Sequence, residues 1–217
     1  MNKFATIKTG ETGPFRNGRC DDDGYQEVKL VGGTGAGNSA TVSIDQTTPG
    51  TTDSVTIKAA GAGGKVSITR PNDTIAYTAN DVIGTTTNST AAIEFINIGT
   101  AGKPLIITDA NLRIDAAAIP VGMTQFRLHL YSATPPSALA DNAAWDLPAG
   151  DRSVYLGYID LTTPTDLGST LYSQNSGINK GITLVTTSLF VYLVTIGTFT
   201  PGASTVKSLE LVATGGL

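Results

Sequence analysis

Charge is scarce in this sequence. Charged side chains make up 15% of the 217 residues and aromatics 6%, so the surface has to be built largely from small neutral polar groups, which suits packing against other proteins. Lysine and arginine nowhere cluster and the net charge is −4, which argues against binding a nucleic-acid backbone, whose phosphates need grouped cations. A single cysteine, Cys20, cannot form an intrachain disulfide. Stability then does not rest on such bonds, and folding in a reducing cytoplasm is compatible with the chain. With no histidine beside it, Cys20 reads as an unreactive thiol. There is one histidine, His129. A zinc site would need three or more suitable ligands, and a Ser-His-Asp unit would need a serine and an acid to converge on His129; neither is expected. Met1 to Lys8 lacks an apolar core of the signal-peptide kind, and no apolar run approaches the ~18 residues of a membrane span. Neither secretion nor membrane insertion is expected. No segment carries a helical stripe, the nearest being a single turn over Asp141 to Trp145.

What the chain has is alternation. Gln125 to Tyr131 places Phe126, Leu128 and Leu130 on one face and Arg127, His129 and Tyr131 on the other, the pattern of a half-buried strand with the second set facing out. Ser153 to Leu161 resumes strand character, with Val154, Leu156 and Tyr158 on one face. Between them Ser132 to Pro148 contains Pro135, Pro136 and Pro148, which lack the N–H of a sheet ladder, so this stretch is a long surface loop. Further runs span Thr74 to Ile83, Ala91 to Ile98, Pro104 to Ile114, Leu171 to Ser173, Ser188 to Thr198 and Thr205 to Val212. About eight strands over one span is the inventory of a jelly-roll-like antiparallel β-sandwich. The Ser188 to Thr198 run is apolar on both faces, so it belongs in a sheet centre or at a subunit contact. From it a homo-oligomer is expected, a trimer, with this strand or its neighbours near the interface.

The first third reads differently. Residues 1–25 are interrupted by Gly10, Gly13-Pro14, Gly18 and Gly24, which prevents a regular element and leaves an extended arm with the isolated anchors Phe4, Ile7 and Phe15. Its apolar surface is too small to offset an ordering cost of roughly 1–2 kcal/mol per residue, so it should order only against a partner. Residues 26–70 hold short β-prone runs separated by glycine-rich turns, a small β-rich domain. Arg70-Pro71-Asn72-Asp73 is a turn that serves as linker, and the sandwich occupies residues 71–217.

Motifs that hint at chemistry fail on their context. Gly32 to Gly37 and Gly61 to Lys65 each lead into a strand, whereas phosphate-binding glycine loops open a helix. Asp21-Asp22-Asp23-Gly24 starts like a calcium loop but lacks the later ligands. Asp109, Asp115, Asp141, Asp146 and Asp151 offer carboxylates for a glycosidase pair, yet acids beside loops are usually turn formers. No catalytic residue, cofactor or metal is assigned, and the expectation is a protein that is not an enzyme. Trp145, in a loop of small residues, is expected either to plug the sandwich edge or to insert into a partner, with sugar stacking a lesser use.

Two stretches resemble known proteins. Asp45 to Val55 is similar to a phrase recurring in tailed-bacteriophage virion proteins, and Ile75 to Gly84 resembles the opening of a phage β-sandwich module. The likeness continues through Leu130 to Pro136, Ala140 to Ala144, Leu156 to Ile159 and Leu209 to Leu211. The resemblance implies a virion structural protein made in the host cytoplasm. It would be a capsid decoration or cement protein on the head, partnered by the major capsid protein or other virion proteins. The alternative is a tail or head-fibre module that recognises host-surface glycans. Phe4, Ile7, Phe15 and Trp145 are the candidate partner-binding residues.

Overall fold

A computed structural model describes residues 41–45, 52–56, 62–85, 87 and 90–215. The arm, with Phe4, Ile7, Phe15, Cys20 and the acidic cluster, lies outside the described residues, as does the 26–40 stretch. Thr41–Asp45 (β1) and Thr52–Thr56 (β2) pair as an antiparallel ladder of their own.

Ten further strands build the sandwich: Ala62–Thr69 (β3), Val82–Ile83 (β4), Ile93–Phe95 (β5), Pro104–Asp115 (β6), Phe126–Tyr131 (β7), Tyr155–Leu161 (β8), Thr165–Asp166 (β9), Thr170–Thr183 (β10), Leu189–Thr195 (β11) and Val206–Gly215 (β12). One sheet has the order β3-β12-β6-β10-β9 and the other β4-β11-β7-β8, with β5 also pairing β11. All pairings are antiparallel. The chain changes sheet after β3, β5, β6, β8, β10 and β11, and the last strand lies beside the first. That order is the double Greek key of a jelly roll. The protein is an all-β sandwich, as the strand pattern implies.

Alternation builds the interior. Leu105, Ile107, Ala110, Leu112 and Ile114 of β6 and Leu209, Leu211 and Ala213 of β12 face Phe126, Leu128 and Leu130 of β7 and Leu189, Val191 and Leu193 of β11, all buried. Each such side chain contributes about 1.5–3 kcal/mol by leaving water. The inward set of β6 changes parity between Ile107 and Ala110. Thr108 is skipped in the pairing with both neighbours, a bulge that keeps apolar side chains inward on either side of it.

Two expectations need correction. Lys65 to Thr69, assigned to the small domain, forms part of β3, which pairs with β12 from Thr69 opposite Val206 to Ala62 opposite Ala213. The sandwich therefore starts before residue 71, because an edge of its sheet is closed by that strand. Val154, Leu156 and Tyr158 do not share a face. At Gly157, with φ of 92°, the register with β7 shifts, and Leu156 turns to the inner core while Val154 joins the outer cluster. β11 is a sheet centre, one of the two placements expected of a strand apolar on both faces. Its second face, Tyr192 and Val194, is covered within the chain by the loop between β7 and β8.

Candidate interaction surfaces

The loop from Ser132 to Val154 forms a third layer over the sheet that contains β7 and β11. It is tied on by backbone bonds: Val82 N donates to Ala143 O at 2.8 Å, Trp145 N to Asn80 O at 2.8 Å, Ala91 N to Leu139 O at 2.6 Å and Ser132 N to Val154 O at 2.8 Å. Beneath it the Trp145 indole lies flat on His129, ring centroids 3.5 Å apart and planes within 19°. Its Nε1 donates to Tyr131 Oη at 3.1 Å. Tyr131 meets Tyr192 edge to face at 5.7 Å, and Tyr192 Oη donates to Ser137 O at 3.1 Å while accepting from Leu139 N at 3.2 Å.

His129 and Tyr131, expected to face solvent, are buried under this layer. Alternation locates a second face but does not show what will cover it. His129 Nδ1 lies 2.9 Å from Tyr155 Oη. Burial first, and then the Arg127 charge, push the His129 pKa down to about 3. The imidazole is thus neutral at physiological pH, a spacer between aromatic rings. Trp145 is the expected plug, its indole engaged inside the chain.

A buried polar cluster locks the same loop to the turn after β3. Arg70 Nε donates to Tyr77 Oη at 2.7 Å, and Tyr77 Oη donates to Asp141 Oδ1 at 2.7 Å. Gly84 N donates to that oxygen at 2.8 Å, and Arg70 Nη2 lies 2.6 Å from Asp73 Oδ1 and 3.6 Å from Asp141 Oδ2. Burial, reinforced by Asp141, drives the Tyr77 pKa far up. Lys207, pointing inward from β12 and 1% exposed, has no hydrogen-bond partner for Nζ among the described residues. Burial first, then Arg70, bring its pKa down to about 8. From the sequence Arg70 reads as part of an exposed linker turn. Only its distant partners reveal the lock.

Three of the carboxylates singled out in the sequence accept backbone N–H groups in the structure. Asp141 and Asp151 are buried and accept from the backbone N–H groups of Gly84 and Ser137. Asp146 accepts from Leu147 N. Asp109 and Asp115 stand on β6. Among the described residues no group of three or more His, Cys, Asp or Glu is placed to hold a metal ion.

One end of the jelly roll gathers the loops 70–81, 116–125, 162–169 and 196–205, since each joins strand ends that the pairings bring to that end. It presents exposed Ile75, Ile119, Leu167 and Val121, the last 96% exposed. Three of these loops are interlocked: Tyr77 N donates to Phe199 O and Ile196 N to Gln125 O, each at 2.9 Å, and a Cβ on Gly122, where φ is +85°, would lie 2.1 Å from Thr198 O.

No protein-family model and no curated protein matches the chain. Among solved structures it is similar to part of a Clostridium thermocellum endo-1,4-beta-D-xylanase, a chain of CBM22-1 and GH10 modules complexed with xylohexaose. That likeness has 7% identity and a TM-score of 0.26, covering 72% of this chain and 26% of the xylanase. A pentamer protein of Israel acute paralysis virus is similar at 14% identity and a TM-score of 0.22, over 68% of this chain and 88% of the viral one. At these scores neither likeness decides fold or function. The chain spans about a quarter of the xylanase it matches.

Proposed function

We propose that the chain is a structural component of a phage virion, a decoration or cement protein seated on the head shell. The observation that carries this reading is the aliphatic end of the sandwich. Ile75, Ile119 and Val121 stand exposed on loops bonded through the 196–205 loop, with Leu167 exposed just after β9 at the same end, and aliphatic groups gathered at one end of a fold mark a protein contact where they form one patch. The sequence resemblance supplies the phage context. By fold-level analogy alone, jelly rolls serve in viral capsids and in lectins. The major capsid protein is the proposed partner, with self-association into a trimer through the same end, since β11 is covered within the chain.

Quantitative mass spectrometry of purified particles tests the reading. A copy number comparable to that of the shell subunit supports it. A few copies per particle moves the protein to the tail or a fibre, and absence from particles overturns it.

A further inference from the structure

One sheet of the sandwich is covered by the Trp145 loop, whereas among the described residues no segment covers the outer face of the other. Its central strands carry two parallel rows of side chains set by register. In the first, Arg113 of β6 stands opposite Tyr172 of β10. In the second, Lys65 of β3 is followed by Glu210 of β12, Asn111 of β6 and Gln174 of β10. The rows are joined: Arg113 Nη1 bonds Glu210 Oε2 at 2.7 Å, Tyr172 Oη donates to Asn111 Oδ1 at 2.9 Å, and the guanidinium of Arg113 lies 5.5 Å from the Tyr172 ring centre. All six are exposed or half-exposed. At ~4.8 Å between strands, four strands make a platform about 14 Å wide.

We infer that this face binds a neutral glycan. Pyranose rings offer an apolar C–H face and pairs of adjacent hydroxyls. The first needs an aromatic ring held in place, and the second needs planar groups that donate or accept through two atoms at once. Tyr172 supplies the ring, braced by its bond to Asn111. Arg113, Glu210, Asn111 and Gln174 supply the planar groups, and among the described residues the Asn111 Nδ2 and the Gln174 amide have no side-chain bond that would have to be broken. Charge selects the class. The two cations, Lys65 and Arg113, are balanced on this face by Glu210 and by Asp109 in the adjacent row opposite Val212, so nothing favours an anionic polymer. A dry contact with another sheet is disfavoured, because it would strip water from the Arg113–Glu210 pair. This inference does not rest on the virion reading, and it places sugar recognition away from Trp145.

The test is titration of the isotope-labelled full chain with neutral hexasaccharides of glucose, galactose, mannose and N-acetylglucosamine, followed by amide chemical shifts. Shifts confined to β3, β12, β6 and β10 by at least one sugar are expected. Tyr172→Ala should weaken that binding roughly tenfold, and Tyr172→Phe by less. A folded spectrum for each variant separates lost binding from lost structure. No response to any sugar, shifts centred on residues 132–154, or binding unaltered in Tyr172→Ala each overturns the proposal. So does a face whose shifts follow protein concentration in place of sugar, which makes it a self-contact. Particle composition and sugar binding are independent readouts, so failure of one reading leaves the other standing.

Discussion

At the scale of single residues, two buried titratable groups set how stability depends on pH. Burial holds the folded pKa of Lys207 at about 8, below the ordinary lysine value of 10.5. Between these values the unfolded chain binds the extra proton, so stability rises as pH goes from about 8 towards 10.5. Chemical denaturation of the wild type should show that rise, and Lys207→Met should flatten it. At pH 7 the same variant should be more stable by about 1–4 kcal/mol, because an apolar side chain replaces an unpaired buried cation. His129 acts at the other end of the scale. Its folded pKa of about 3 lies below 6.5, so between these values only the unfolded chain takes the proton and stability falls as pH drops from about 6.5 towards 3. The imidazole proton resonances should show no titration step near pH 6.5 in the folded protein. A step there would mean that the ring is wet. Neither behaviour was legible in the sequence. Lys207 falls in phase with the inward Leu209 and Leu211, but nothing local shows that the ammonium is buried, and His129 reads as outward until Trp145, sixteen residues on, is known to fold back over it.

At the scale of elements, the inward set of β7 could be read directly, because alternation specifies a face wherever the backbone stays regular. It misled where the backbone departs from regularity. Gly157 splits Val154 from Leu156 across β8. β10 runs fourteen residues where only Leu171 to Ser173 was expected, since Asn175 and Gly181 have weak strand preference and are held by pairing with β6, while Gly177 and Asn179, both at positive φ, stand where the register with β6 shifts. Pairing of β3 with β12 joins distant parts of the chain, which local pattern cannot foresee. The covering loop has its own energetics. Trp145→Ala should cost about 2 kcal/mol, less than the ~3–5 of a fully buried aromatic. Amide exchange should then accelerate across residues 132–154 while β6 and β12 stay protected. Uniform acceleration everywhere would mean that the loop and the sandwich unfold as one unit. At the opposite end Gly122→Ala should cost about 1–3 kcal/mol, from its positive φ and the nearby Thr198 carbonyl, read as a lowered denaturation midpoint.

At the scale of the whole molecule, the aliphatic end makes a claim about assembly. Light scattering at micromolar concentration should find an oligomer, and Val121→Asp with Leu167→Ser should shift it towards monomer without loss of sheet signal. A wild type that is monomeric throughout counts against self-association. The adjacency of β3 and β12 has a mechanical consequence. Ala62 and Ala213 lie side by side, so tension applied between them peels the ladder open one pair after another. Tension between residue 62 and the far end of the sandwich runs along the strands and loads all eight pairs of that ladder together. In single-molecule pulling with Cys20→Ser, handles at Ala62→Cys and Gly215→Cys should yield at lower force than handles at Ala62→Cys and Val121→Cys. A sandwich gripped by its aliphatic end and tugged through the segment that precedes β3 would meet load in its stiff direction.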